Sequence, residues 1–87
     1  LRFWHRAVVT LDDLHPGQSA EILSVDWAEL APDEGKRLRA LGIDAGARVE
    51  IAHRGIFAGR DPIALMVGRM TVALRRSHAR AMVVQPS

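Results

Sequence analysis

The chain has no cysteine and no tyrosine, and its 87 residues include only two phenylalanines and two tryptophans. The missing thiols exclude disulfides, thiolate metal sites and thiol catalysis together. Nowhere do apolar residues run to the roughly 18 needed for a membrane-crossing helix. The start also lacks the basic, then apolar, then small-residue pattern of a secretory leader. A soluble, cytoplasmic protein is therefore expected. With aromatics confined to Phe3, Trp4, Trp27 and Phe57, a groove for proline-rich peptides is disfavoured, because aromatic side chains line such grooves.

Catalytic signatures are missing as well, and a non-enzyme is expected. The segment Gly55-Ile56-Phe57-Ala58-Gly59 has two glycines but neither the lysine nor the hydroxyl of a phosphate-binding loop in register. Ser19, Ser24 and Ser77 fit strand or cap positions better than a nucleophile elbow. Although Ser77 has His78 beside it, adjacent residues rarely present both side chains to one reacting atom.

Acidic residues are scarce in the second half. Residues 1–50 carry nine acids and six bases, a balance of −3, whereas residues 51–87 carry six arginines and only Asp61, a balance of +5. Such asymmetry marks either a basic face for an acidic partner or a solvated sheet rim. Arg69, Arg75, Arg76 and Arg80 also raise the alternative of a small basic barrel that binds single-stranded nucleic acid. Aromatics that would stack bases are absent from this half, and phosphate contacts alone give weak, salt-sensitive binding. Nucleic acid is accordingly not the expected partner.

What the chain does contain is one phrase used twice: Leu14-His15-Pro16-Gly17-Gln18-Ser19-Ala20-Glu21-Ile22 and Ile43-Asp44-Ala45-Gly46-Ala47-Arg48-Val49-Glu50-Ile51. Each copy is a glycine-centred turn feeding a strand, and each phrase ends in Glu-Ile. Glycine tolerates the positive φ that a type II turn requires at its third position, and Pro16 suits the second. Strands are expected over Ser19 to Val25 and Arg48 to His53. Between them, Pro32-Asp33-Glu34 signals a helix start, with acids near the positive end of the dipole. Gly42 signals its stop, and Leu38 and Leu41 share the helix face that packs on the barrel. Trp27 is expected to close the core beside the helix. Ile63 to Val67 and Met70 to Leu74 alternate around Gly68-Arg69 as a hairpin. Ser77 is expected to cap a short turn over His78 to Arg80, before a last strand at Met82 to Val84.

Five short strands and one helix, inserted after the first long strand, point to a mainly β fold, a small SH3-like barrel. A single domain over residues 1–87 is expected, with 1–7 as an N-terminal extension. Exposed strand edges would permit a homodimer.

The histidines invite a metal reading, since imidazole with carboxylate suits zinc or ferrous iron. His15, Glu50 and His53 are the candidates, although no cofactor is required. Glu50 and His53 lie on opposite faces of one strand unless it bulges at Arg54-Gly55.

Taken in order, Leu11, Leu14, Pro16-Gly17, Arg37 to Ile43, Gly46, Asp61-Pro62-Ile63, Ala73 to Arg76 and Ala79 resemble the ferrous-iron transport protein A (FeoA) family over residues 10–84. The resemblance implies an SH3-like fold and a non-enzymatic accessory of ferrous iron uptake, partnered with the membrane transporter FeoB, which carries its own GTP-binding domain. It places the protein in the cytoplasm, peripheral at the inner membrane through that partner. A closely similar barrel ends the diphtheria-toxin-repressor type of metalloregulator, so a metal-sensing SH3-like domain is a further alternative. No helix-turn-helix segment stands before the barrel here, which favours the transport accessory. The surface expected to bind the partner joins Arg37 on the helix to Arg60, Arg75 and Arg76, with Leu38 as its apolar anchor unless the core claims it.

Overall fold

The computed structural model describes residues 9–53 and 61–87. Its elements follow in chain order as β1 (Ser19–Val25), α1 (Pro32–Ala40), β2 (Arg48–His53), β3 (Ile63–Val67), β4 (Met70–Leu74), α2 (Arg76–Ala79) and β5 (Met82–Pro86), with single 3-10 turns at Leu11–Asp13 and Trp27–Glu29. The strands form one antiparallel sheet in the order β4-β3-β2-β1-β5. It wraps a single apolar cluster to which all five strands and α1 contribute.

The repeated phrase folds as two equivalent turn-and-strand units around a local two-fold axis. In each turn the glycine has positive φ, 87° at Gly17 and 92° at Gly46. Each turn closes with a backbone bond, Gln18 N–H to His15 C=O (3.0 Å) and Ala47 N–H to Asp44 C=O (3.1 Å). The bonds between the copies are reciprocal. Gly17 N–H donates to Ile51 C=O (2.8 Å) and Gly46 N–H to Ile22 C=O (2.7 Å), while Ile51 N–H donates to Gln18 C=O (3.0 Å) and Ile22 N–H to Ala47 C=O (2.8 Å). Ala20 pairs with Val49, its own counterpart, so the axis passes through that pair. The repeat is thus the central β1–β2 ladder of the sheet.

The helix ends as its sequence dictates. Past Leu41, Gly42 takes φ 92°, its N–H reaches Arg39 C=O (3.0 Å), and Ile43 N–H reaches Leu38 C=O (2.9 Å). This pair of bonds is a Schellman motif, which satisfies carbonyls the helix leaves open. Ile43 and Leu38 are both fully buried, so the stop signal also fixes how α1 sits on the sheet. Trp27 lies against the core where Gly35 has no side chain; a Cβ there would stand 3.4 Å from the indole ring. One turn further on, the Arg39 guanidinium covers the same ring at 4.2 Å from its centroid, a cation–π contact.

Two strands carry irregularities, and one local expectation is corrected. The alternation of β1 breaks after Ile22, where the pairing with β5 shifts register; the extra residue, Leu23, is turned outward and is 49% exposed. The ladder of β2 to β3 shifts register between Ile51 and His53, while Arg54-Gly55, the candidate site for a bulge, lies outside the described residues. Ser77 does not cap the last helix. The helix starts two residues earlier than expected, at Arg76, whose N–H is held by Asp61 Oδ1 at 2.9 Å. The amides that a Ser77 cap would have served, those of Ala79 and Arg80, instead donate to Arg75 C=O and Arg76 C=O, both at 3.0 Å, inside the earlier-starting helix.

Candidate partner-binding groove

Capping by Asp61 pulls the start of β3 against the junction of β4 and α2, and α1 lies alongside. Between them runs a groove of about 500 Å³ lined by Glu34, Arg37, Asp61, Pro62, Ala73 and Arg75. It brings Arg37 and Arg75, two of the expected binding residues, onto one surface although they are far apart in sequence.

Their electrostatic states differ. The Arg37 fork grips Glu34 in bidentate fashion, Nε to Oε1 and Nη2 to Oε2, both at 2.9 Å. That hydrogen bond is the leading reason that the Glu34 carboxyl is held below its usual range, with the charges of Arg37, His78 and Arg75 adding to it against partial burial. In turn the Arg37 pKa is raised, chiefly by the same bond. His78 Nδ1 stands 3.3 Å from Glu34 Oε2, an ion-pair distance without hydrogen-bond geometry. Glu34 is therefore the hub through which α1 meets α2.

Arg75 is exposed and has no carboxylate within ion-pair distance among the described residues. Arg76 is half-buried, with its main chain committed to Asp61. Leu38 is fully buried, so the core claims it and it is no surface anchor; its position on α1 faces the sheet. Arg60 lies outside the described residues, as does Phe57. A second groove of about 550 Å³ on the other side of α2 is lined by Asp26, Glu29 and Arg80 among others and bears none of the expected residues.

The metal candidates are placed as follows. His15 is exposed in the first repeated turn, where its backbone N–H donates to Gln18 Oε1 at 2.9 Å. Glu50 is exposed on β2 and lies opposite Ser19 and Met66. His53 pairs with Ala64, and its side chain is outside the described set. No group of three or more His, Asp or Glu side chains suited to a metal ion occurs among the described residues.

Glu34 and Asp61 were missed by the sequence reading. The spacing of Glu34 and Arg37 on a helix is a legible ion-pair signal, whereas nothing local announces that Asp61 caps a helix fifteen residues on.

A five-stranded antiparallel sheet around one core, with a groove lined by charged side chains at one end, defines a small SH3-like module. The FeoA domain model matches residues 9–86, and the chain belongs to that family. Among solved structures, it is 34% identical to FeoA of Stenotrophomonas maltophilia complexed with zinc, described as a prokaryotic SH3 domain protein, covering 88% of this chain and 89% of that one at a TM-score of 0.70. It is 26% identical to iron(II) transport protein A of Clostridium thermocellum, covering 88% of this chain and 44% of that one at a TM-score of 0.74. A manganese-dependent transcriptional repressor shares the fold at 22% identity and a TM-score of 0.77, with 95% of this chain and 43% of that one covered. This chain thus spans less than half of the latter two. No curated protein matches the sequence. Among the described residues no helix is long and apolar enough to cross a membrane.

Proposed function

We propose that this chain is a non-enzymatic cytoplasmic accessory of ferrous iron uptake, which binds the cytosolic region of the membrane transporter FeoB through the groove between α1 and β4. The observation that carries the reading is the groove itself, in a chain of the FeoA family. Its lining holds a paired Glu34 and Arg37 beside Arg75, an exposed cation with no carboxylate within ion-pair distance among the described residues. An acidic element of the partner would meet Arg75 directly. Charges on the rim of an interface act mainly on the association rate and its salt dependence.

The test is calorimetric and kinetic titration of the chain into the isolated cytosolic GTP-binding region of FeoB, with GDP, with a non-hydrolysable GTP analogue and without nucleotide. Binding is expected, and Arg75→Glu should slow association several-fold at low salt while circular dichroism still shows the native fold. Nucleotide-dependent affinity would make the chain a regulator of the GTPase cycle, and nucleotide-independent affinity an assembly factor. Absence of binding in all three states would overturn the proposal.

A further inference from the structure

We propose that the open edge of β4 takes up an extended acidic peptide segment as an added strand. The inference rests on the reading that this chain works by binding a protein, and it names the form of the segment bound.

The sheet has two edges, and they are treated differently. At the β5 edge, Val84 N–H donates to Val9 C=O at 2.9 Å and Thr10 forms a bridge with Val83, so the preceding chain covers it. At the β4 edge, among the described residues, the only backbone partner is β3. Val67 lies opposite Met70 across the two-residue turn, which makes them a hydrogen-bonded pair. Strict alternation then directs Met70, Val72 and Leu74 toward β3 and leaves the N–H and C=O of Thr71 and Ala73 facing outward. Thr71 and Ala73 are both exposed, and Ala73 lines the groove.

An open edge is usually guarded by a charge, a proline or a bulge. Met70 to Leu74 contains no charged residue and no proline, and its ladder to β3 runs without a register shift. The charges stand at its two ends instead, as Arg69 and Arg75. Neither has a carboxylate within ion-pair distance among the described residues, and residues 1–8 and 54–60 contain no Asp or Glu.

This arrangement selects the occupant. A second copy pairing antiparallel about Val72 would set Arg69 of one molecule against Arg75 of the other at both ends, and like charges directly opposite are destabilising. A lipid surface or a nucleic acid would meet the arginines but leave the outward N–H and C=O groups unmatched. An extended peptide with an acid at each end of about seven residues satisfies both features, since the span from Arg69 to Arg75 is roughly 20 Å at strand rise. Main-chain bonds would supply affinity and the terminal acids would set register, as in strand-addition recognition generally.

The probe is the end-capped heptapeptide Asp-Val-Thr-Val-Thr-Val-Asp, titrated into the uniformly nitrogen-15-labelled chain and followed by amide shifts and hydrogen exchange. Thr71 and Ala73 amides should shift and gain protection. The same peptide with Lys at both ends, which sets like charges against Arg69 and Arg75, or with alternate amides N-methylated, which removes one or two net main-chain hydrogen bonds, should bind at least about tenfold more weakly. These peptide variants leave the protein untouched, so misfolding cannot mimic the result. Equal binding of the Lys peptide, no response at Thr71 and Ala73, or protection that rises with protein concentration alone would each overturn the proposal, the last in favour of a second copy. Anionic vesicles that protect the same amides as well as the peptide does would overturn it in favour of a membrane. The transporter titration separates the two proposals. If FeoB fails to bind while the acidic peptide does, the partner is wrong and the edge stands. If FeoB binds the chain and the peptide does not compete with it, the edge proposal falls and the groove reading stands.

Discussion

Replacing Gly17 or Gly46 with alanine should destabilise the fold by about 1–2 kcal/mol at either position, and by nearly equal amounts. The two glycines have φ of 87° and 92°, and an added Cβ would meet nothing within 4 Å at either one. The whole cost is therefore backbone conformation, for which an L-residue in the left-handed region loses roughly 1–2 kcal/mol, slightly offset because alanine stiffens the unfolded chain. Equality follows from the local two-fold, which gives both glycines the same turn and the same N–H bond across the ladder, 2.8 and 2.7 Å. By strand rise the two turns lie roughly 20 Å apart, so the double variant should lose about the sum. Against a total of about 4–13 kcal/mol for a chain of this size, that loss is easily read by urea denaturation followed by circular dichroism. Asparagine is the discriminating control. It tolerates positive φ better than alanine, so Gly→Asn should cost less than Gly→Ala at both sites despite its larger side chain. An asparagine penalty exceeding that of alanine, or an alanine cost below about 0.5 kcal/mol, would show that the sign of φ is not what these positions require.

Asp61→Ala should cost about 1 kcal/mol through loss of the α2 cap, whereas Ser77→Ala should stay within about 0.5 kcal/mol, a contrast that thermal denaturation resolves. Leu38→Ala should cost about 2–5 kcal/mol, as for a fully buried leucine, and should lower stability rather than the intrinsic affinity of the folded fraction for a partner. Because the folded Glu34 carboxyl titrates below its unfolded value, with the Arg37 hydrogen bond as the main cause, its contribution is present above the unfolded pKa near 4.5 and is lost as pH falls through the folded one. Denaturation at pH 7 and at pH 3 should therefore show Glu34→Gln less stable than the parent at the higher pH, with the gap narrowing in acid; a constant gap would refute the linkage.

How much could be read without the fold depends on how local each signal is. Gly17, Gly42 and Gly46 act within a few residues, so the two turns, the helix stop and the strands that follow them were legible. Period-two alternation likewise gave the β3–β4 hairpin, since side chains on a strand must alternate between core and solvent. The resemblance in the order of these elements pointed to the family that the FeoA domain match then showed.

Tertiary packing alone decided the rest. That the two copies of the phrase face each other, with each glycine bonded to the other copy's last isoleucine, follows from pairing across the sheet and is invisible in either copy. Ser77 had the right chemistry for a cap, but Asp61, brought in by the β3–β4 hairpin, holds the helix start. Leu38 carries the same periodicity whether its face meets core or partner, and only the docking of α1 on the sheet buried it. Arg37, Arg75 and Arg76 look alike in sequence. Their roles diverged because Glu34 claims the first, the helix start and partial burial constrain the third, and the second is left on the groove rim facing water. A sequence specifies a side chain's chemistry and its local period; which neighbours reach it, and hence whether its charge is spent inside the fold or offered outside it, is set when distant segments pack together.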